Sequence, residues 1–292
     1  MLTVYPILEG FAAEVIGVNL ASDMEHEEIR ALKSALDEYA VLVLPGQALE
    51  EEQQVKFAAH FGPLETSVSA AVYQVGEKRR LQKPQLSDIS NLDEKGQVLE
   101  QFDLRRLINI SNQLWHTDSS FRSPAASISI LSAQEIAPVG GMTEFADMRA
   151  AWDALSEKTK EILRPLSAEH DYFHSRGLTG FDTSVVPSEW REAAPAVTHP
   201  LIRKHPNSGR ESVYLASHIK RILGLDQQSS DELFDELMTT CTQAQFVYRH
   251  RWRTHDVVIW DNRCTMHRGR PFPAEYRRAM RRATVAETSP AI

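Results

Sequence analysis

Apolar residues near the N-terminus recur first at strand-like and then at helical spacing. The segment GFAAEVIGVNL mixes apolar residues with two glycines and predicts short strands that open a sheet. Apolar residues then recur every three or four positions over 27–40, which predicts a helix with one buried face. The run AVLVLPGQ predicts a strand buried on both faces that ends in a turn, and 51–61 predicts a second helix.

A long polar stretch separates this start from the next predicted elements. Residues 67–112 show no convincing periodicity, and so long a stretch inside a compact domain predicts a binding loop or an active-site lid. After it, the alternation in SISILS predicts a strand, and the following glycine pair predicts a turn. Residues 148–163 predict one helix whose inward side chains are Trp152, Leu155 and Ile162.

The C-terminal part of the chain is rich in predicted strands. ESVYLA, QFVYRHRW and DVVIWD have β-type composition, and AMRRATVA at 279–286 is a fourth such run. Ser229 and Glu232 form a capping-box pattern ahead of a short helix. Because no repeat or low-complexity linker separates these segments, the sequence predicts one α+β domain over 1–292, with a β-core and surface helices.

Composition excludes several classes of partner. The 292 residues carry a formal charge of −8, which disfavours a nucleic-acid backbone as ligand. Cys241 and Cys264 are too few for a disulfide framework, which predicts a reduced, cytoplasmic compartment. No stretch reaches the roughly 18 apolar residues of a membrane span, so we expect no membrane partner.

One short motif suggests metal chemistry. In Trp115-His116-Thr117-Asp118, an imidazole and a carboxylate stand two residues apart. On an extended strand, residues i and i+2 project from the same face, so both side chains could reach one metal ion. An H-x-D pair also occurs by chance in surface and capping positions, so the pair does not by itself establish a metal site.

A third candidate ligand strengthens the metal hypothesis. His267 follows the strand-like run DVVIWDNRCTM, which would deliver it to the end of a sheet. Two histidines and one carboxylate are the facial triad of non-heme iron(II) oxygenases, with three positions left open for cosubstrate and oxygen. A zinc hydrolase would more often show H-E-x-x-H on a helix, which this sequence lacks. Iron is therefore favoured over zinc.

Four arginines lie within six residues near the C-terminus. Arg278 and Arg282 are four positions apart and would share one face of a strand, where both could bind carboxylates near the metal. A solvated basic strand explains the same pattern equally well, so the arginines alone leave both interpretations open.

Several spaced motifs resemble one known family. The segments NQLWHTDSSF at 112–121, GGMTEFADMRAAWDAL at 140–155, VIWDNRCTMHRGR at 258–270 and RRAMRRAT at 277–284 are similar to the taurine dioxygenase and 2,4-dichlorophenoxyacetate dioxygenase family. The resemblance covers nearly the whole chain. It implies a double-stranded β-helix (jelly-roll) core with surrounding helices, and an Fe(II)- and 2-oxoglutarate-dependent dioxygenase that ascorbate would stimulate.

The resemblance also implies roles for individual residues. His116, Asp118 and His267 match the family's iron ligands. Thr143 and Arg278 match the residues that hold the far carboxylate of 2-oxoglutarate, and Trp260 would flank the cosubstrate as packing. Two further positions would lie beside the substrate: Arg282, which contacts its anion or the C1 carboxylate of 2-oxoglutarate, and Asn112.

The motifs are most similar to the 2,4-dichlorophenoxyacetate branch of the family. That similarity implies a small carboxylate substrate, an aryloxyalkanoate, which O2 would hydroxylate next to the ether oxygen to release a phenol and a 2-oxo acid. Two other enzymes stay open as alternatives: a dioxygenase for sulfonates or sulfate esters, and a hydroxylase of a natural carboxylic acid. A sugar- or anion-binding β-barrel that has lost catalysis would predict a broken triad, whereas the triad is intact. A homo-oligomer is also possible.

Overall fold

The computed structural model describes residues 2–71, 79–100 and 103–288. Its strands, in chain order, are β1 (Thr3–Leu8), β2 (Phe11–Ile16), β3 (Val41–Leu44), β4 (Leu86–Asp88), β5 (Ala126–Glu135), β6 (Thr143–Asp147), β7 (Ser167–His170), β8 (Val197–Pro200), β9 (Ile202–Lys204), β10 (Glu211–Val213), β11 (Ile219–Ile222), β12 (Val247–His250), β13 (Val257–Asp261), β14 (Thr265–Gly269) and β15 (Ala279–Ala286). Its α-helices are α1 (His26–Tyr39), α2 (Glu51–Ala59), α3 (Val68–Ala71), α4 (Leu104–Ile110), α5 (Met148–Asp153), α6 (Glu157–Leu163), α7 (Tyr172–Gly177), α8 (Ser188–Ala193) and α9 (Gln227–Cys241). Helices and sheets are both present, as the predicted α+β class requires.

The predicted apolar strands form the middle of the largest sheet. Its strand order is β1-β2-β3-β13-β5-β15-β4. The central strand β13 pairs antiparallel with β3 on one side and with β5 on the other, and all five of its residues are buried. A continuous apolar run suits such a position because both faces of the strand are covered.

A smaller sheet of β12, β6 and β14 packs against the large one. Phe145 on β6 lies against Trp260 on β13, with ring centroids 5.4 Å apart, and both side chains are fully buried. This contact belongs to a buried cluster that also contains Leu131 and Met280 from the large sheet. The packing brings β14 and β13 close together, so that residues on both strands face one interior space.

Two predictions about helices are wrong in detail. The predicted helix over 148–163 is divided into α5 and α6, because Ser156 caps a new helix by accepting a hydrogen bond from the backbone N–H of Thr159. Ile162 then points outward and is 56% exposed. The helix after residue 226 also begins earlier than its capping-box pattern predicted, since the side chain of Asp226 caps α9.

The segment 67–112 contains regular structure, contrary to the prediction. It includes α3, α4 and the short strand β4, which extends the large sheet by pairing antiparallel with β15. The sequence signal was weak because these elements are only three to seven residues long. Part of the proposed lid, at 72–78 and 101–102, lies outside the described residues.

Cys241 and Cys264 are both buried and unpaired. Over the described ranges, no helix has the length and apolar content needed to cross a membrane.

Candidate metal and cosubstrate site

His116 and His267 are neighbours across two backbone segments. His267 lies on β14, and the backbone N–H of each histidine donates to the carbonyl oxygen of the other, at 3.0 Å and 2.8 Å. Residues paired in this way have their side chains on the same face. The two imidazole centroids accordingly lie 4.2 Å apart, and both rings are buried.

Asp118 completes the group, although not from a strand as the sequence suggested. His116 forms an isolated β-bridge, and Asp118 begins a turn. Its Oδ1 lies 3.7 Å from Nε2 of His116, and its Oδ2 lies 3.7 Å from Nε2 of His267. These distances are too long for hydrogen bonds. The three ligand atoms nevertheless lie within 4.8 Å of one another, which places them around a common point.

The chemistry of this group fits a divalent metal ion. Nδ1 of His116 lies 2.8 Å from the carbonyl oxygen of Leu114, which can only accept, so Nδ1 carries the proton. Nε2 therefore keeps its lone pair and faces Asp118. Burial lowers the pKa of both histidines, which favours the neutral form that binds metals. Two neutral imidazoles and one carboxylate match the facial-triad ligand set.

A chain of buried hydrogen bonds holds the Asp118 carboxylate. Ser129 on β5 donates from Oγ to Oδ2 of Asp118 at 2.7 Å, and Asn262 donates from Nδ2 to Oγ of Ser129 at 2.9 Å. Asn262 in turn accepts through Oδ1 from Nε1 of Trp260 at 2.9 Å and from the backbone N–H of Asp118 at 3.3 Å. The large sheet thus determines where the carboxylate points.

Arg282 supplies a positive charge next to the same carboxylate. Its Nη1 donates to Oδ1 of Asp118. Burial by itself raises the pKa of Asp118, but Arg282, His267 and His116 lower it by more, so the pKa lies below its ordinary value. Asp118 is therefore ionised at neutral pH.

The cavity beside the triad contains the residues expected to bind a dicarboxylate. We call it the cosubstrate-side cavity, and its lining includes Thr143, Trp260, Arg278 and Arg282 together with His116 and His267. Within the described ranges, no carboxylate forms a salt bridge with Arg278, whose Nη2 donates to the carbonyl oxygen of Gly141 at 3.4 Å. Burial lowers the pKa of Arg278 to about 10. A buried guanidinium of this kind favours an anionic ligand.

The other two arginines of the C-terminal cluster serve elsewhere. Arg277 is exposed and pairs with Glu135 through Nε at 2.8 Å, and Arg281 donates to the carbonyl oxygen of Leu49. The cluster is therefore not simply a solvated basic strand, since Arg278 and Arg282 both line the cosubstrate-side cavity.

A second cavity lies on the other side of the triad. We call it the substrate-side cavity, and aromatic residues on its wall include Phe121, Tyr172 and His218. His116, Asn112 and Arg282 line both cavities. Asn112 lies in a short 3₁₀ helix, Ser111–Gln113, directly before the segment that carries His116. A compound in the second cavity would therefore approach the triad next to Asn112 and Arg282.

Another cluster of possible ligands, formed by Asp37, His205 and Asp261, is better explained as structural. Nδ1 of His205 accepts from the backbone N–H of Ser208, so Nε2 carries the proton and donates to Asp261 at 2.9 Å. Arg263 also donates from Nε to Asp261 at 2.9 Å. No histidine lone pair in this cluster is free for a metal ion.

Comparison with known proteins places the chain in a family. The family described as taurine catabolism dioxygenase TauD, TfdA family matches residues 3–284. The chain belongs to this dioxygenase family. Family membership agrees with the resemblance in the sequence motifs.

Relatives within the dioxygenase family cover almost the whole chain. An alpha-ketoglutarate-dependent 2,4-dichlorophenoxyacetate dioxygenase from Cupriavidus pinatubonensis is 43% identical over 97% of this chain and 96% of its own. An (S)-phenoxypropionate/alpha-ketoglutarate-dioxygenase from Sphingobium herbicidovorans is 34% identical over 96% and 93%. The crystal structure of AAD-2 in complex with Mn(II) and N-oxalylglycine superimposes with a TM-score of 0.95, at 41% identity, over 100% of this chain and 99% of that one.

Sequence reasoning missed the residues that support the triad. Ser129 was visible only as a polar position within SISILS, and Asn262 only as the residue after a predicted strand. Trp252, which donates from Nε1 to Oγ1 of Thr143 at 3.0 Å, ends the predicted strand QFVYRHRW but was not singled out as a site residue. Their contacts join segments far apart in sequence, so spacing along the chain could not reveal them.

Proposed function

We propose that this protein is an Fe(II)- and 2-oxoglutarate-dependent dioxygenase that cleaves aryloxyalkanoates such as 2,4-dichlorophenoxyacetate. The observation that carries the proposal is the convergence of His116, Asp118 and His267 next to a buried arginine, Arg278, which has no acidic partner among the described residues. The names of the family relatives, which specify 2,4-dichlorophenoxyacetate and phenoxypropionate, support the substrate class.

His116, Asp118 and His267 would hold the iron through Nε2, a carboxylate oxygen and Nε2. Ser129 and Asn262 would keep the carboxylate in position when the ion binds. When bound, iron and 2-oxoglutarate supply the oxidation, in which one oxygen atom of O2 forms succinate with loss of CO2 and the other enters a substrate C–H bond.

Thr143 and Arg278 would hold the far carboxylate of 2-oxoglutarate. Arg278 offers a charged, planar donor suited to bidentate contact, and the hydroxyl of Thr143 is oriented by the indole N–H of Trp252. Trp260, whose ring centroid lies 4.7 Å from that of His267, would pack beside the cosubstrate and exclude water. Arg282 would lie beside the C1 carboxylate or the substrate anion, with Asn112 at the substrate.

The products follow from hydroxylation of the carbon between the ether oxygen and the carboxylate. The resulting hemiacetal loses its hydroxyl proton, the bond from carbon to the ether oxygen breaks, and that oxygen takes up a proton. An aryloxyacetate thereby yields a phenol and glyoxylate, together with succinate and CO2. The chain's task is to position the reacting carbon next to the metal.

Several finer features belong to the same proposal. We infer that the large sheet and the β12-β6-β14 sheet form the two halves of a double-stranded β-helix, and that 1–292 is a single domain. Ascorbate would stimulate turnover by keeping the iron reduced. The active-site lid around 67–112, a homo-oligomeric state and a cytoplasmic location stay predictions.

The experiment measures succinate and phenol formation by the anaerobically purified protein given Fe(II), ascorbate, oxygen and 2-oxoglutarate. Reactions with and without 2,4-dichlorophenoxyacetate are compared. Equal amounts of succinate and phenol would support both the chemistry and the substrate class. Succinate without phenol would keep the dioxygenase but reject this substrate; release of sulfite or sulfate from other compounds would then indicate sulfonates or sulfate esters. No succinate with any of these compounds would refute the proposal.

A further inference from the structure

The arginines that line the substrate-side cavity differ in their partners. Three of them pair with carboxylates of this chain: Arg80 with Asp88, Arg105 with Asp103 and Glu94, and Arg282 with Asp118. Arg176, which also lines this cavity, has no salt bridge to any residue in the described parts of the chain. Arg79, on the same lining, likewise has no salt bridge among the described residues, but its Nη2 donates to the carbonyl oxygen of Lys83 at 3.1 Å. Arg176 is half-buried, and its surroundings distinguish it from Arg79.

The side chain of Arg176 is held in place but is not saturated with hydrogen bonds. Its guanidinium lies over the ring of Tyr172, 4.0 Å from the centroid, and its Nη1 donates to Oγ of Ser175 at 2.8 Å. Its Nε is buried and has no hydrogen-bond partner among the described residues. The stacking orients the planar group. Because the buried Nε is closed to a ligand, the donor that remains for one is Nη2, which makes no hydrogen bond within the described residues.

Aromatic residues next to Arg176 form a surface for a ring. The ring centroids of Phe121 and Tyr172 lie 4.6 Å apart, and those of Phe121 and His218 lie 5.0 Å apart. All three residues line the same cavity as Arg176. An apolar wall that ends at an unpaired guanidinium matches a molecule with an aromatic ring and one negative charge.

Arg176 and Arg282 lie in different places relative to the triad. Arg282 lines both cavities and already donates to the Asp118 carboxylate, whereas Arg176 lines only the substrate-side cavity. Arg176 is therefore positioned to contact a compound in the substrate-side cavity and not one in the cosubstrate-side cavity.

We propose that Arg176 is a specificity-determining residue that binds the substrate carboxylate from the wall of the substrate-side cavity. This inference rests on the proposed function and deepens it. It makes the preferred substrate an aromatic acid with a single negative charge, and it predicts discrimination against neutral compounds of the same shape. An anion bound at Arg176 would also provide a counter-ion, which this cation does not find within the described ranges.

The test measures binding of phenoxyacetate and of its neutral amide, phenoxyacetamide, to the protein loaded with Mn(II) and 2-oxoglutarate, by calorimetry. Arg176→Gln should weaken phenoxyacetate binding by about 10- to 100-fold, the effect of losing one charge-assisted pair. Binding of the amide should not change. Arg176→Lys should recover part of the affinity, since lysine keeps the charge but not the planar fork.

Arg191→Gln is the matched control. It removes an exposed arginine that also stacks on an aromatic ring, that of Phe173, but lines neither cavity. Affinities equal to those of the parent in Arg176→Gln and Arg176→Lys would overturn the inference, as would a parent that binds the amide as tightly as the acid. Unfolding midpoints establish that each variant is folded.

Phenol release by the parent tests the proposed function separately. A parent that releases phenol, with normal phenoxyacetate binding in both Arg176 variants, would retain the cleavage and lose the role of Arg176. A parent that binds phenoxyacetate through Arg176 but releases no phenol would retain the carboxylate site and refute the cleavage.

Discussion

Ser129, on strand β5 of the large sheet, donates a 2.7 Å hydrogen bond to the carboxylate of Asp118. Because this bond orients a proposed ligand, we expect Ser129→Ala to weaken metal binding by roughly 10- to 100-fold, the range found for such supporting contacts. Titration with Mn(II) followed by electron paramagnetic resonance measures the affinity. Ser127→Ala is the control, since Ser127 is a buried serine on the same strand that donates to the carbonyl of Val285 instead. Equal losses in both variants would contradict a specific role for Ser129.

Removal of a triad side chain should abolish catalysis and spare the fold. His116→Ala and Asp118→Ala each remove one of the three converging ligands, so 2-oxoglutarate-dependent succinate formation should fall below detection. Circular dichroism should stay close to that of the parent protein. His60→Ala, which removes an exposed histidine of the same domain, should keep full activity. Full activity in either triad variant would refute the metal assignment.

Arg278→Gln should raise the requirement for 2-oxoglutarate. The change removes a charge-assisted contact worth roughly 1.5–3 kcal/mol, which corresponds to about a 10- to 150-fold higher KM for the cosubstrate. The adjacent Arg277→Gln supplies the control, because Arg277 is exposed and pairs with Glu135. Steady-state kinetics at saturating substrate distinguish the two. An unchanged KM in Arg278→Gln would rule out this role.

Buried His170 should make the protein less stable in mild acid. Burial, with smaller contributions from His199 and Arg203, holds the pKa of His170 well below its ordinary value. The unfolded chain therefore takes up a proton first, so stability is full above about pH 6.5 and is lost as the pH falls below it. Urea unfolding at several pH values gives the unfolding free energy as a function of pH. In His170→Gln this free energy should fall less steeply as the pH is lowered, by at most about 1.4 kcal/mol per pH unit. His26→Gln, at an exposed site, should follow the parent; an unaltered slope in His170→Gln would contradict the prediction.

Two features of the backbone at position 140 favour glycine: a positive φ angle and a lack of space for a Cβ atom. The φ of Gly140 is +74°, and an added Cβ would lie 2.5 Å from the carbonyl oxygen of Pro271. Gly180 has a similar φ of +85° but open space around it, so Gly180→Ala tests backbone strain alone. Both alanine variants should lose about 1–2 kcal/mol from strain, and Gly140→Ala should lose about 1–3 kcal/mol more from the clash. If Gly140→Ala and Gly180→Ala lost the same unfolding free energy, the loop at Gly140 would accommodate the added methyl group without a further loss of stability.

The elements that are long or strongly patterned could be predicted from the order of residues alone. The amphipathic run at 27–40 and the apolar run DVVIWD formed α1 and β13, because burial of a continuous apolar face is a local property of the pattern. The motif NQLWHTDSSF, with its distant partner His267, likewise allowed the triad to be proposed from residue type and order. Short elements such as β4, and the division of 148–163 into two helices, were decided by sheet pairing and by a cap that periodicity does not reveal.

The assembly of the site depends on contacts between segments that are far apart in the chain. His116 and His267 meet through one β-bridge, and Asp118 is aimed by Ser129 and Asn262 from other segments. Tertiary contacts also decided which arginines face the cavities, since Arg282 turns inward while Arg277 turns to solvent. These relationships depend on register, bridge position and the partners of each charge. A linear sequence contains the residues, but the folded sheets set the distances between them.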